Sequence, residues 1–144
     1  MKVVLDTNII IAGLYSKRGA SYQLLKGALS GGLLVAVSPL LALEYEGVLH
    51  QKITEGMIEI SEEVCGKILG ALFAVATVAW RPSQIRPFLP DPSDDKVLEC
   101  AISCDCTHII TFNQRHFPNA IMLPWGIQAM KPGDFLIQWR EEMS

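Results

Sequence analysis

Four places along this chain set oxygen-bearing side chains where an α/β fold would expose them. Asp6, Thr7 and Asn8 follow directly on the apolar run Val3-Val4-Leu5, and polar groups just past the carboxyl end of a central strand lie in the crevice where such folds bind ligands. Glu44 stands near the start of a segment opened by Ser38-Pro39, and Asp94 near the start of one opened by Asp91-Pro92. Asn113 follows Thr111 much as Asn8 follows Thr7. Parallel strands end, and the helices after them begin, on one edge of the sheet, so Asp6, Glu44, Asp94 and Asn113 can converge on one rim. Their oxygens suit a hard divalent ion such as Mg²⁺ or Mn²⁺. Without a cation, crowded carboxylates repel one another and take up protons. With one, the rim could clamp a phosphodiester and activate water against it.

Other chemistries lack their residues. There is no G-x-x-x-x-G-K and no G-x-G-x-x-G, so triphosphate and dinucleotide binding have no support. His50, His108 and His116 are scattered, and no Ser-His-Asp arrangement is evident. The four cysteines include no C-x-x-C pair; Cys104-Asp105-Cys106 with His108 could be drawn as a zinc cluster, but burial in a core is the plainer account. The net charge of −3 gives no general basic footprint for nucleic acid. A polyanionic partner would have to be held by bound cations or by a local patch such as Lys17-Arg18 or Arg115-His116.

The elements that must position these groups follow the rhythm of a parallel sheet with crossover helices. The opening strand is followed by the apolar, small-residue stretch Ile9 to Tyr15 and by a helix, Tyr22 to Leu29, that Ser21 would cap. Leu33 to Val37 fits a strand buried on both faces. Ser38 as N-cap with Pro39 at the first helical position starts the next helix, and Ser61-Glu62-Glu63 opens another, to about Ala74. Thr77 to Trp80 reads as a strand, Arg81 to Pro92 as a proline-rich loop, and a helix from there to about Cys104. His108 to Thr111 reads as a strand, Ala120 to Leu123 as a short last one, and Pro132 to Arg140 as a closing helix. This alternation predicts an α/β fold. At 144 residues, with no repeat or linker, a single domain spanning 1–144 is expected. No apolar run is long enough to cross a bilayer and the N-terminus does not read as a signal peptide, so a cytoplasmic protein is expected.

Helical periodicity ranks the acids. In the helix from Pro39, Leu41, Tyr45, Val48 and Leu49 form the apolar stripe; Glu44 falls at its edge and Glu46 opposite, as a solvated charge. In the helix from Pro92, Val97, Leu98, Ala101 and Cys104 form the stripe with Asp94 on its centre line, Asp95 at the margin, and Lys96, Glu99 and Ser103 on the polar face. A carboxylate in an apolar stripe is costly unless paired or coordinating a cation. Capping by Asp91 and Asp94 is the competing account of that pair.

Taken together, Val4-Leu5-Asp6-Thr7-Asn8, Ser38-Pro39 with Glu44-Tyr45-x-x-Val48-Leu49, Asp91-Pro92-x-Asp94-Asp95-Lys96-x-Leu98-Glu99-x-Ala101, Ile110-Thr111-x-Asn113 and Pro132-x-x-Phe135-Leu136 resemble the PIN-domain ribonucleases over nearly the whole length. The likeness is in particular to small prokaryotic toxin components of toxin–antitoxin systems. It implies a three-layer α/β/α fold with a central, mostly parallel sheet. It implies Asp6, Glu44 and Asp94 as metal-binding acids for Mg²⁺ or Mn²⁺, with Asp95 in reserve for Asp94. Asn113 falls at a fourth catalytic position often held by Asp, which leaves one negative charge fewer and points to a one-metal resting state. Asn8 and Thr111 would orient Asp6 or the substrate.

The function this implies is a divalent-metal-dependent endoribonuclease held off by an antitoxin. Two alternatives compete with it. A phosphatase of the haloacid-dehalogenase type, with Asp6 as nucleophile, fails on Asn8, which stands where that chemistry needs a second acid. A non-catalytic PIN-like module that binds RNA or protein keeps the same residues. A homodimer through a helix face is a further expectation.

Overall fold

The computed structural model describes residues 1–82 and 89–144. Its centre is a five-stranded sheet, all parallel, in the order β3-β2-β1-β4-β5. The strands are β1 (Lys2–Leu5), β2 (Leu34–Val37), β3 (Thr77–Val78), β4 (His108–Ile110) and β5 (Gln128–Met130). Val3, Val4 and Leu5 are all buried. Because successive side chains point to opposite faces, β1 must be covered on both sides, the middle of a three-layer α/β/α arrangement. The chain reverses its direction of progress across the sheet between β1 and β4, which pair with Leu5 opposite Ile110. Asp6 continues that ladder by one bond, donating its N–H to the Ile110 carbonyl at 2.9 Å. The site residues after both strands are thereby fixed in register.

The helices are α1 (Thr7–Tyr15), α2 (Ala20–Leu29), α3 (Pro39–Thr54), α4 (Glu62–Val75), α5 (Asp95–Ser103), α6 (Asn119–Met122) and α7 (Pro132–Met143). Local chemistry starts them. Ser38 Oγ accepts from Leu41 N–H at 3.2 Å with Pro39 in the first turn, and Ser61 Oγ accepts from Val64 N–H at 3.2 Å. Leu41, Tyr45 and Leu49 are the buried stripe of α3, while Glu46 is solvated. The buried Tyr45 hydroxyl donates to the Leu5 carbonyl, so α3 is pinned to the end of β1. Gly27 lets α2 and α7 touch: a Cβ there would come within 2.5 Å of the Trp139 ring.

Several expectations from sequence are corrected. Ile9 to Tyr15, given no secondary structure from the sequence, is helical from Thr7, its β-branched residues overridden by the Asp6 cap and by burial of Ile9 and Ile10. Ser21 is not an N-cap: Gly19 holds that position and Ser21 lies buried in the first turn of α2. The strand expected over Thr77 to Trp80 stops at Val78, with one further bond from Ala79 N–H to the Val37 carbonyl at 2.8 Å. Ala120 to Leu123 is no strand but α6 running into a 3₁₀ turn, Leu123–Trp125; the last strand is Gln128–Met130. The closing helix extends to Met143, and Phe135 and Leu136 pack in the core.

The start of α5 also differs from expectation. Pro92–Asp94 forms a 3₁₀ turn and the α-helix begins at Asp95. Asp91 does cap, its carboxylate accepting from Ser93 N–H at 3.0 Å, but Asp94 makes no side-chain cap. Asp95 and Glu99, expected at the margin and on the polar face, are buried at 2 % and 4 % exposure. Of the loop expected between Arg81 and Pro92, residues 83–88 lie outside the described residues. Cys104 and Cys106, which could be drawn as part of a zinc cluster, are buried free thiols, as is Cys100. Burial pushes all three upward, Cys106 to about 12, so they stay protonated. No helix among the described residues is long and apolar enough to cross a membrane.

Candidate active site

Asp6 is the link between β1 and α1. Its backbone is extended, and its Oδ1 accepts from Thr7 N–H at 2.9 Å as the N-cap of α1. Its Oδ2 accepts from the Thr111 hydroxyl at 2.7 Å and, over a longer 3.4 Å, from the Asn8 amide. Thr111 is fully buried and relays the network, for its Oγ1 also accepts from Asn113 N–H at 3.0 Å. Asn8 reaches back across the same strand ends, its Oδ1 accepting from Phe112 N–H at 3.4 Å. The segments after β1 and β4 are therefore tied through Asp6, and the carboxylate that results is only 7 % exposed.

Glu44 arrives from the second turn of α3. The Thr7 hydroxyl donates to its Oε2, and Lys96 Nζ lies 2.8 Å from its Oε1. Lys96, expected on a polar face, turns inward and also donates to the Ser93 carbonyl. Asp94 arrives from the 3₁₀ turn ahead of α5, with His116 Nδ1 3.0 Å from its Oδ2. These three acids, with Asn8, Asp91, Asn113 and His116, line one end of a single cavity of about 530 Å³. Asn113 is exposed there, and Thr111 lies beneath. Asp95 stands apart, its Oδ1 accepting from Leu89 N–H at 3.2 Å and holding the chain that enters the 3₁₀ turn.

Sequence reasoning placed Thr7 beside Asp6 but missed Lys96 and Asp91 as parts of this site, and gave His116 only as half of a basic patch. His116 was findable: it lies a few residues past the end of β4 and so on the same rim as Asn113. Among the described residues, Asp91, Asp94 and His116 are the trio whose donor atoms all come within 4.8 Å of one another. Asp6 and Glu44 open on the same cavity without joining that trio.

Electrostatics mark the acids as strained by their own company. Burial pushes the Asp6 carboxyl above its ordinary value against the hydrogen bonds of Thr111 and Thr7, and the Glu44 charge adds to the rise. Asp94 is raised by burial and then by the Asp6 charge, with His116 pulling the other way. Exposed Asp91 is lowered by its Ser93 hydrogen bonds. Oxygen donors that raise one another's proton affinity fit a hard divalent cation, which would remove the conflict.

A comparison with curated proteins yields no match. A family model described as PIN domain matches residues 2–115, a span that contains every acid of the cavity and the ends of β1 and β4. PIN domains are generally nucleases, which agrees with carboxylates gathered at the carboxyl edge of a parallel sheet. On that match and that architecture, the chain belongs to the PIN-domain family.

Proposed function

We propose that the protein is a divalent-metal-dependent endoribonuclease that hydrolyses RNA phosphodiester bonds. The observation that carries this is the convergence of Asp6, Glu44 and Asp94, from three separate segments, on one cavity where burial and mutual charge raise the Asp6 and Asp94 carboxyls. These acids would hold Mg²⁺ or Mn²⁺, with Asp91 and His116 beside Asp94 as further donors. An imidazole in the set moves the preference from Mg²⁺ toward Mn²⁺. When bound, the cation supplies charge neutralisation for the phosphodiester and lowers the proton affinity of water. Thr111 and Asn8 hold the Asp6 carboxylate in place; Asn113 offers an uncharged oxygen or amide at the rim. Lys96 and Thr7 fix the rotamer of Glu44. Repression by an antitoxin protein, as in the toxins that the sequence resembles, is part of the proposal, as are a cytoplasmic location and a homodimer.

One observation favours a second reading, a non-catalytic module that binds RNA or protein. Lys96 and His116 partner Glu44 and Asp94, so both acids have protein partners of their own. Titration of Mn²⁺ and Mg²⁺ by calorimetry, in parallel with cleavage of a labelled single-stranded RNA, decides between them. The nuclease binds metal and cuts only in its presence, and Asp6→Asn abolishes cutting while the circular dichroism spectrum is kept. A module gives no metal-dependent product with either protein.

A further inference from the structure

The cavity continues past the acids, where its lining carries no carboxylate. Its walls are two helix faces that start at the acids and run away from them together. On α1, Asn8, Ile11, Ala12 and Tyr15 follow one another at i, i+3, i+4 and i+7; on α3, Glu44, Val48 and Lys52 follow at i, i+4 and i+8. Such spacings lie on one side of a helix, so the trench passes from carboxylates, through an apolar stretch, to an aromatic ring and an ammonium. Met57 and Ile58 line it too. Tyr15 is 68 % exposed although it is large and apolar. Among the described residues, Lys52 makes a loose 3.8 Å pair with Glu55 and a 3.9 Å contact with the Met57 sulfur. The exposed Lys17 and Arg18 follow directly on α1. As α1 has nine residues at a rise of about 1.5 Å each, Tyr15 stands about 13 Å along the trench from Asp6.

We infer that this end is a subsite for an unpaired nucleobase of single-stranded RNA, stacked on Tyr15, with the adjoining phosphate on Lys52. The inference rests on the nuclease reading, because it takes the strand that is cut at the acids and follows it outward. Charge complementarity selects the occupant. The acid end is negative and accepts a phosphodiester only through cations, whereas this end offers protein cations beside an apolar floor. A base has a π-face for the ring and carries its own phosphate for the ammonium, so the two halves of a nucleotide match the two halves of the trench end. A duplex hides its base faces in its own stack and does not satisfy the ring. The subsite thus favours unpaired RNA over duplex at this end of the trench.

Binding of a short fluorescein-labelled single-stranded RNA, followed by anisotropy in Mn²⁺ on an Asp6→Asn background to prevent cutting, tests the subsite. Tyr15→Ala should weaken binding roughly tenfold, as loss of one base–aromatic stack does, while Tyr15→Trp retains it. Lys52→Gln should weaken binding and flatten the dependence of log affinity on log salt by about one phosphate contact. Tyr15 is exposed, so unchanged melting of the Tyr15 variants is expected and separates binding from folding. Equal affinity of Tyr15→Ala and the background protein would overturn the subsite while leaving the nuclease standing, since the parent would still cut. A loss for duplex RNA as large as for single strands would overturn it too. Absence of both RNA binding and cutting in the parent would remove the nuclease reading and the subsite together.

Discussion

Asp94 is subject to two opposing pulls, the His116 ring that stabilises its charge and the burial and Asp6 charge that oppose it, and the opposition wins. The sign follows from linkage. A carboxyl whose proton affinity is raised by folding destabilises the native state once the pH exceeds its unfolded value near 4, and the penalty is complete above the folded value. Asp94→Asn keeps an acceptor for His116 and removes the charge. In a chelator at neutral pH its melting midpoint should therefore rise above the parent's, by about 2–4 °C for each kcal/mol relieved in a domain of this size. On the proposed nuclease reading the same variant should also lose RNA cleavage, and Mn²⁺ should stabilise the parent but not the variant. Calorimetric scans with and without Mn²⁺ check both halves; a lower midpoint without metal would mean that His116 outweighs the burial.

At the scale of elements, the start of α3 is legible because its instructions are local. Ser38 and Pro39 are adjacent, the cap is made within four residues, and the apolar stripe runs on without interruption. Ser38→Ala should cost about 0.5–2 kcal/mol, read as a shift of the urea midpoint at unchanged slope. The start of α5 was misplaced for an equally physical reason. A 3₁₀ turn advances about 120° per residue rather than 100°, so a wheel drawn from Pro92 loses phase before Asp95. Hydropathy then assigns the buried Asp95 to the margin and the buried Glu99 to the polar face, because it cannot see the partners that permit their burial. α1 was hidden differently: Thr7, Ile9, Ile10 and Ile11 carry strand-forming side chains, and only the cap at Asp6 and the packing of the sheet make them helical. The acids Asp6, Glu44 and Asp94 were readable from their places at element boundaries. Asp91 and His116 meet across 25 positions of sequence, through a strand pairing that no local pattern announces.

At the scale of the whole molecule, a group far from the rim should couple stability to pH. His108 sits in β4, buried, its Nδ1 2.7 Å from the Thr107 hydroxyl and its ring 5.1 Å from that of Phe135 in α7. Burial lowers its proton affinity, and the N-terminal charge acts the same way against the opposing Glu142. A histidine depressed by folding contributes stability that is complete above its unfolded value near pH 6.5 and is lost as the pH falls toward the folded value. Stability should fall on acidification below about pH 6.5 by at most about 1.4 kcal/mol per pH unit from this group, and His108→Leu should flatten that limb. Urea denaturation of both proteins across the range measures the difference; parallel curves would dissociate His108 from the acid sensitivity.

The bond from Thr111 to Asp6 spans 105 positions of sequence. It forms only when β4 settles against β1, so the carboxylate, its cap and its orienting hydroxyl come into being with one of the longest chain closures in the fold. Loops of that length are slow to close. A refolding population would accordingly contain inert chains and competent ones with little between, and recovery of catalysis would keep time with the slowest phase of global refolding. On the proposed nuclease reading, newly made chains would carry no partly formed site while residues 108–111 were still to be added.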